Sequence, residues 1–219
     1  MKKIGILLAG CGVKDGSEIH EAVLTLLFVE QKGARAVFMA PDIEQSGVIN
    51  HLTGEKTVEK RNVLVESARI ARGDIQNIKN ISASDIDGLI LPGGFGAVCN
   101  LSDFASSGKD MKVNPDVKQL IHKMISQKKP VGALCIAPAT LVGAIPEKSP
   151  SITIGNDITV SQTLEEMGGS HQNCAVDEIH VDEINKLVTT PAYMIGPGIK
   201  EIAIGIEKLV DKVLSLIKG

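Results

Sequence analysis

The chain has 219 residues, with 26 acidic and 23 basic side chains, a formal charge of -3, a single tyrosine and no tryptophan. This length suffices for a full hydrophobic core in one domain spanning residues 1–219. Charge this close to balance and rings this scarce exclude both the basic footprint of a nucleic-acid binder and an aromatic platform for bases or sugars.

Near the N-terminus, "KKIGILLAG" reads as a buried-type strand and "SEIHEAVLTLLFVEQKG" as a helix, with Ser17 as its N-cap and Gly33 as its stop. "RAVFMAP" is a second strand. After the polar loop "IEQSGVINHLTGEKT" come a helix over "VEKRNVLVESARIARG" and a third strand, "DGLILPGGFG", which ends in a glycine turn. The alternation continues through helix "NPDVKQLIHKMISQKK", strand "PVGALC", helix "IAPATLVGA", strand "SITIG", helix "VSQTLEEMGG", strand "KLVTTPA" and a final helix from near Gly198. Continuous apolar strands alternating with amphipathic helices predict an α/β three-layer sandwich, a mostly parallel sheet with helices on both faces.

Ligands of such sheets sit outside the carboxyl ends of the strands, so "AGCGVKDGSEIHE", "PGGFGAVCN", "LCIAPA" and "TTPAYMIGPG" are expected to line one crevice. In "PVGALCIAPA" a strand turns directly into a helix at Cys135, with Gly132, Ala133 and Ala137 supplying the small neighbours that a sharp nucleophile elbow demands. A thiol at a helix N-terminus is expected to favour its thiolate, which makes Cys135 a candidate nucleophile. The Ile136 N–H points toward the position of an oxyanion, and Gly94 is placed to supply a second donor.

The other cysteines, Cys11, Cys99 and Cys174, form no CxxC pair with each other or with Cys135, and no zinc-type spacing. Cys11 follows a strand end and is a possible crevice residue and redox partner of Cys135; Cys99 and Cys174 read as packing residues. No two histidines are spaced to share an ion, so no metal is expected. The glycines of "GCGVKDG" imitate a dinucleotide fingerprint, but Lys14 and Asp15 stand where the turn should be open, and no cofactor is expected. With no charged-then-apolar leader and no apolar run near the ~20 residues of a membrane span, the expectation is a soluble cytoplasmic protein that does not engage a membrane.

Several stretches together, "GCGVKDGSEIHEAVLTLL", "RNVLVESARIARG", "LPGGFGA", "NLSDFA", "CIAPA", "TIGNDI" and "LEEMG", resemble the ThiJ/PfpI superfamily, whose flavodoxin-like fold is shared with class I glutamine amidotransferases. "INHLTGE" and "VTTPAYM" narrow the resemblance to the ElbB group of glyoxalases. It covers essentially the whole chain. It implies a homodimeric, cofactor-independent glyoxalase that converts glyoxal, a small α-oxoaldehyde, to glycolate without glutathione. It also implies that a glutamate at the start of the first helix contacts the cysteine; Glu21 matches that position and Glu18, three residues earlier, is the second choice. The downstream His-x-Glu pair of amidotransferases is missing, as is the histidine that many members carry after the elbow. His171, in a glycine-rich loop, is a possible imidazole partner. Two other readings stand beside the glyoxalase: a deglycase-type repair hydrolase using the same Cys135, and a non-catalytic amidotransferase-like module serving a biosynthetic partner.

Overall fold

The computed structural model describes residues 1–218. The chain runs through β1 (Lys3–Leu7), α1 (Ile19–Gln31), β2 (Arg35–Ala40), α2 (Val63–Ile70), β3 (Gln76–Asn77), β4 (Gly88–Leu91), α3 (Phe95–Cys99), α4 (Phe104–Ser107) and α5 (Pro115–Ser126). It continues through β5 (Val131–Leu134), α6 (Pro138–Ala144), β6 (Ser151–Ile152), α7 (Ile158–Glu166), β7 (Ser170–His171), β8 (His180–Asp182), β9 (Leu187–Thr190) and α8 (Ile199–Leu216). The main sheet has the order β3-β2-β1-β4-β5-β9-β8, parallel throughout except for β8, which pairs antiparallel with β9.

The apolar strands are double-sided, as burial on both faces requires. Leu89, Leu91, Val131 and Ala133 join Val117, Leu120, Ile121 and Met124 of α5 in one core layer. Ile4, Ile90, Leu134 and Val188 face the other way, against Ile202, Ile206, Leu209 and Val213 of α8. Ile6 and Phe38 pack with Ala22 of α1 and Val63 of α2. The result is a mostly parallel sheet between two helical layers, the flavodoxin-like and amidotransferase-like α/β fold. No helix among the described residues is long and apolar enough to cross a membrane.

Three details depart from the sequence reading. Ser17 does not cap α1: its Oγ accepts the buried Ala9 N–H at 2.8 Å, and Glu18 takes over the cap by accepting the Glu21 N–H at 2.7 Å. The second helix begins only at Val63, where Asn62 caps it by accepting the Val65 N–H. "SITIG" contributes only Ser151–Ile152, paired with β7 outside the main sheet, because the Thr153 N–H is taken by Thr189 Oγ1 and the chain turns at Gly155, whose φ is 95°. Beside β9 the main sheet ends in the short antiparallel β8.

Candidate active site

The loop after β1 is stitched to the turn after β4. Glu18 N–H donates to Gly93 O at 2.9 Å, Phe95 N–H to Val13 O at 2.8 Å and Gly96 N–H to Gly16 O at 2.9 Å. The approach is so close that a Cβ on Gly96 would stand 2.6 Å from Gly16 and from the Ala9 carbonyl. Buried Asn100 locks the far side: its Nδ2 donates to Ala9 O and Asp15 O, each at 2.9 Å, while its Oδ1 accepts the Ser46 N–H at 2.9 Å. Asp15 in turn accepts the Ile49 N–H at 2.7 Å, which fastens the long polar loop between β2 and α2 to the same knot. Glutamates at the start of α1 are thereby fixed relative to β4 and β5.

Cys135 occupies the turn from β5 to α6 at φ 58°, a left-handed conformation that costs a non-glycine residue on the order of 1–2 kcal/mol. Its N–H is held by the Thr190 carbonyl at 3.0 Å, which helps keep it there. The thiol is buried, hydrogen-bonded to the Glu21 carboxyl, and approached by the N–H groups of Gly94 and Ile136. Glu21 is fully buried; its Oε2 accepts the Gly93 N–H at 2.8 Å and its Oε1 the Tyr193 N–H at 3.2 Å.

The electrostatics reverse one expectation. Burial, and then the adjacent Glu21 carboxylate, push the Cys135 thiol well above its ordinary value, outweighing the two N–H groups that favour the thiolate. The resting group is therefore a thiol. Burial also raises Glu21, with the nearby Glu18 adding to the effect, to about 7. A buried carboxyl poised near neutrality and bonded to a thiol is equipped to accept that thiol's proton and to return it.

The remaining side-chain candidates of the sequence reading, Glu18, His171 and Cys11, are distributed differently. Glu18 caps α1, and His20 Nδ1 lies 4.0 Å from its Oε1 and 2.8 Å from Tyr193 Oη. His171 lies on β7, where its Nε2 takes the Ile154 N–H at 3.3 Å; it does not line the cavity at Cys135. Cys11 is half-buried and also absent from that lining; burial, and then Glu66, raise its thiol. Sequence reasoning missed Tyr193, whose backbone N–H reaches Glu21 and whose ring borders the cavity. A backbone donor leaves no trace in residue type, although its loop, "TTPAYM", was among those expected at the crevice.

Above Cys135 opens a cavity of about 400 Å³, walled by Phe95, Val98, Phe104, Ile136, Val160 and Met194 among others. It lies at the carboxyl ends of β4, β5 and β9, where parallel sheets bind ligands. A second depression, of about 320 Å³, lies by Lys3, Arg35 and Asp74 at the opposite ends of β1 and β2, away from these groups.

No protein-family model matches the chain. It is 43% identical over 224 residues to "ES1 protein homolog, mitochondrial" of Rattus norvegicus, a match covering 98% of this chain and 84% of that protein. It is 41% identical over 224 residues to the Homo sapiens protein "Glutamine amidotransferase-like class 1 domain-containing protein 3, mitochondrial", covering 98% and 83%. Among solved structures, an isoprenoid biosynthesis protein with an amidotransferase-like domain from Ehrlichia chaffeensis superposes with a TM-score of 0.93 at 34% identity, over 100% of both chains. A DJ-1 superfamily protein from Agrobacterium tumefaciens shares the fold, with a TM-score of 0.58 at 17% identity over 100% of this chain and 92% of that one.

Proposed function

We propose that this chain, which belongs to the ES1 family of class I glutamine amidotransferase-like proteins, is a cofactor-independent glyoxalase of the ElbB type, converting a small α-oxoaldehyde to its 2-hydroxy acid. The observation that carries the reading is the Cys135 thiol bonded to a buried Glu21 of pKa about 7 beneath two backbone N–H groups. As the sulfur attacks an aldehyde carbon, Glu21 takes the thiol proton and the N–H groups of Gly94 and Ile136 stabilise the new oxyanion. Protonation of that oxygen gives a hemithioacetal. Glu21 then removes the hydrogen on the sulfur-bearing carbon, and the resulting enediol is reprotonated on the neighbouring carbon, leaving a thioester. Water cleaves the thioester, releases the hydroxy acid and restores the thiol. Oxidation of one carbon is balanced by reduction of the other, so the sequence of steps consumes no external oxidant.

Carbon NMR of the purified protein with labelled glyoxal, free of glutathione and metal, tests this beside Cys135→Ser. Catalytic glycolate from the native protein, and none from the variant, is expected. Equal product from both, or glyoxal consumed without glycolate, would reject the reading.

A non-catalytic role in a biosynthetic system is the second reading, favoured by the likeness to the isoprenoid biosynthesis protein of Ehrlichia chaffeensis. It gains further weight from the cavity lining, which includes no histidine to complete the triad needed for glutamine hydrolysis. In that case the Cys135→Ser protein would retain its cellular role. A deglycase would instead release product from glycated protein with the same cysteine.

The proposal includes a homodimer in the cytoplasm. Ile19, Val23 and Leu27, spaced four apart on α1 and exposed at 42%, 47% and 42%, form an apolar strip of the kind that partners cover. Sedimentation is expected to give twice the chain mass; a mass equal to one chain would reject the dimer.

A further inference from the structure

The walls of the cavity carry a second message about the substrate. Glyoxal, with two carbons and two oxygens, fills only a small part of about 400 Å³; cavities of about 300–1,000 Å³ are typical of sites for much larger ligands. Beside Cys135 the lining holds two polar side chains, Asp157 and Tyr193. Asp157 Oδ1 caps α7 by accepting the Val160 N–H at 2.9 Å, and Tyr193 Oη is bonded to His20. No lysine or arginine lines the cavity. An anionic substituent entering it would lose its water, find no counter-ion and meet the Asp157 carboxyl, whereas an alkyl or aryl group would find Phe95, Phe104, Val160 and Met194. Phe95 is 56% exposed at the mouth, an apolar surface that such a group would cover.

We infer that this cavity is a specificity pocket for an apolar substituent on the substrate carbonyl. The inference deepens the glyoxalase reading and rests on it only for the identity of the reacting group. The same walls disfavour glutamine, whose carboxylate would be stranded without a lysine or arginine.

The test has two arms. In the first, kcat/KM is measured for glyoxal, methylglyoxal and 4-methyl-2-oxopentanal, with the acids identified by NMR. In the second, which needs no turnover, Cys135 is alkylated by iodoacetamide and by N-hexyl iodoacetamide. A sulfur–carbon bond forms, iodide leaves and the thiol proton passes to Glu21. Rates are followed by mass spectrometry of the Cys135 peptide and divided by those of free glutathione. We expect the hexyl reagent to be favoured by about tenfold or more, as burial of a few methylenes provides, and Phe95→Ser to reduce that preference. Because Phe95 is exposed, its loss leaves the core intact. A hexyl preference with rising kcat/KM across the aldehydes supports the pocket and the glyoxalase together. The preference without any hydroxy acid supports the pocket and rejects the glyoxalase. Equal normalised alkylation rates, or glyoxal as the best aldehyde, would overturn the pocket while leaving the glyoxalase standing where acid is formed.

Discussion

Replacing Glu21 with Gln is expected to reduce turnover by about three orders of magnitude, within the ~10²–10⁴ that a positioned general base contributes. Gln keeps an oxygen for one backbone N–H but cannot accept a proton from sulfur or carbon. In the native protein kcat/KM should rise with pH through about 7, where Glu21 ionises; the residual activity of the variant should lack that limb. A variant retaining the native pH profile would remove Glu21 from proton transfer.

The same carboxyl makes a second, independent contribution that calorimetry reads. Its pKa rises from an ordinary 4.5 to about 7 on folding, so between those values the folded state holds a proton that the unfolded chain has released. Stability from this group is full below pH 4.5, falls as pH rises toward about 7 and is level above it, a loss on the order of 3 kcal/mol. The Glu21→Gln protein lacks this slope. The difference between native and variant unfolding free energies should therefore shift in favour of the variant across that interval, and a constant difference would refute the raised carboxyl.

Gly93→Ala is the second change with a large expected effect. Its methyl would stand 2.5 Å from Cys135 Cβ and 2.7 Å from Glu21 Oε2, closer than a non-bonded methyl carbon tolerates. Relief requires the cysteine turn or the carboxyl to move. Misplacement of reacting groups by about 1 Å costs roughly 10²-fold, so turnover should fall at least that far. Overpacking should also destabilise the fold by about 1–3 kcal/mol. Gly33→Ala separates the two effects: Gly33 has a φ of 71° and open space where the methyl would go, so stability should fall with turnover unchanged. Native turnover in Gly93→Ala would show that the thiol and carboxyl need not be held as they are.

The sequence made the layered sheet legible because buried parallel strands such as "GLIL" and "VGAL" are apolar at every position, a pattern few other elements produce. Cys135 was conspicuous for a similar reason, since a strand running into small residues and a helix has few other uses. What stayed hidden depends on competition between partners. Ser17 is a good helix cap by type, but the Ala9 N–H claims its oxygen. "SITIG" has strand composition, but Thr189 captures the Thr153 N–H before a ladder can extend. The thiol's resting state was misread because the helix terminus is visible in sequence, whereas full burial beside Glu21 arises only from the fold. Tyr193 acts on Glu21 through its backbone, so its residue type gave no clue.

The strand order has a consequence for solubility during and after folding. The long hydrophobic strands occupy the middle of the sheet, while its two borders are β3, of two residues, and β8, of three. Gln76 and Asn77 are polar, and β8 carries His180 and Asp182, the latter anchored by Asn185. An open sheet is most prone to templated growth along long apolar borders. Here an arriving strand would meet only a few backbone groups beside polar side chains, so the sheet offers little for aggregates to extend from.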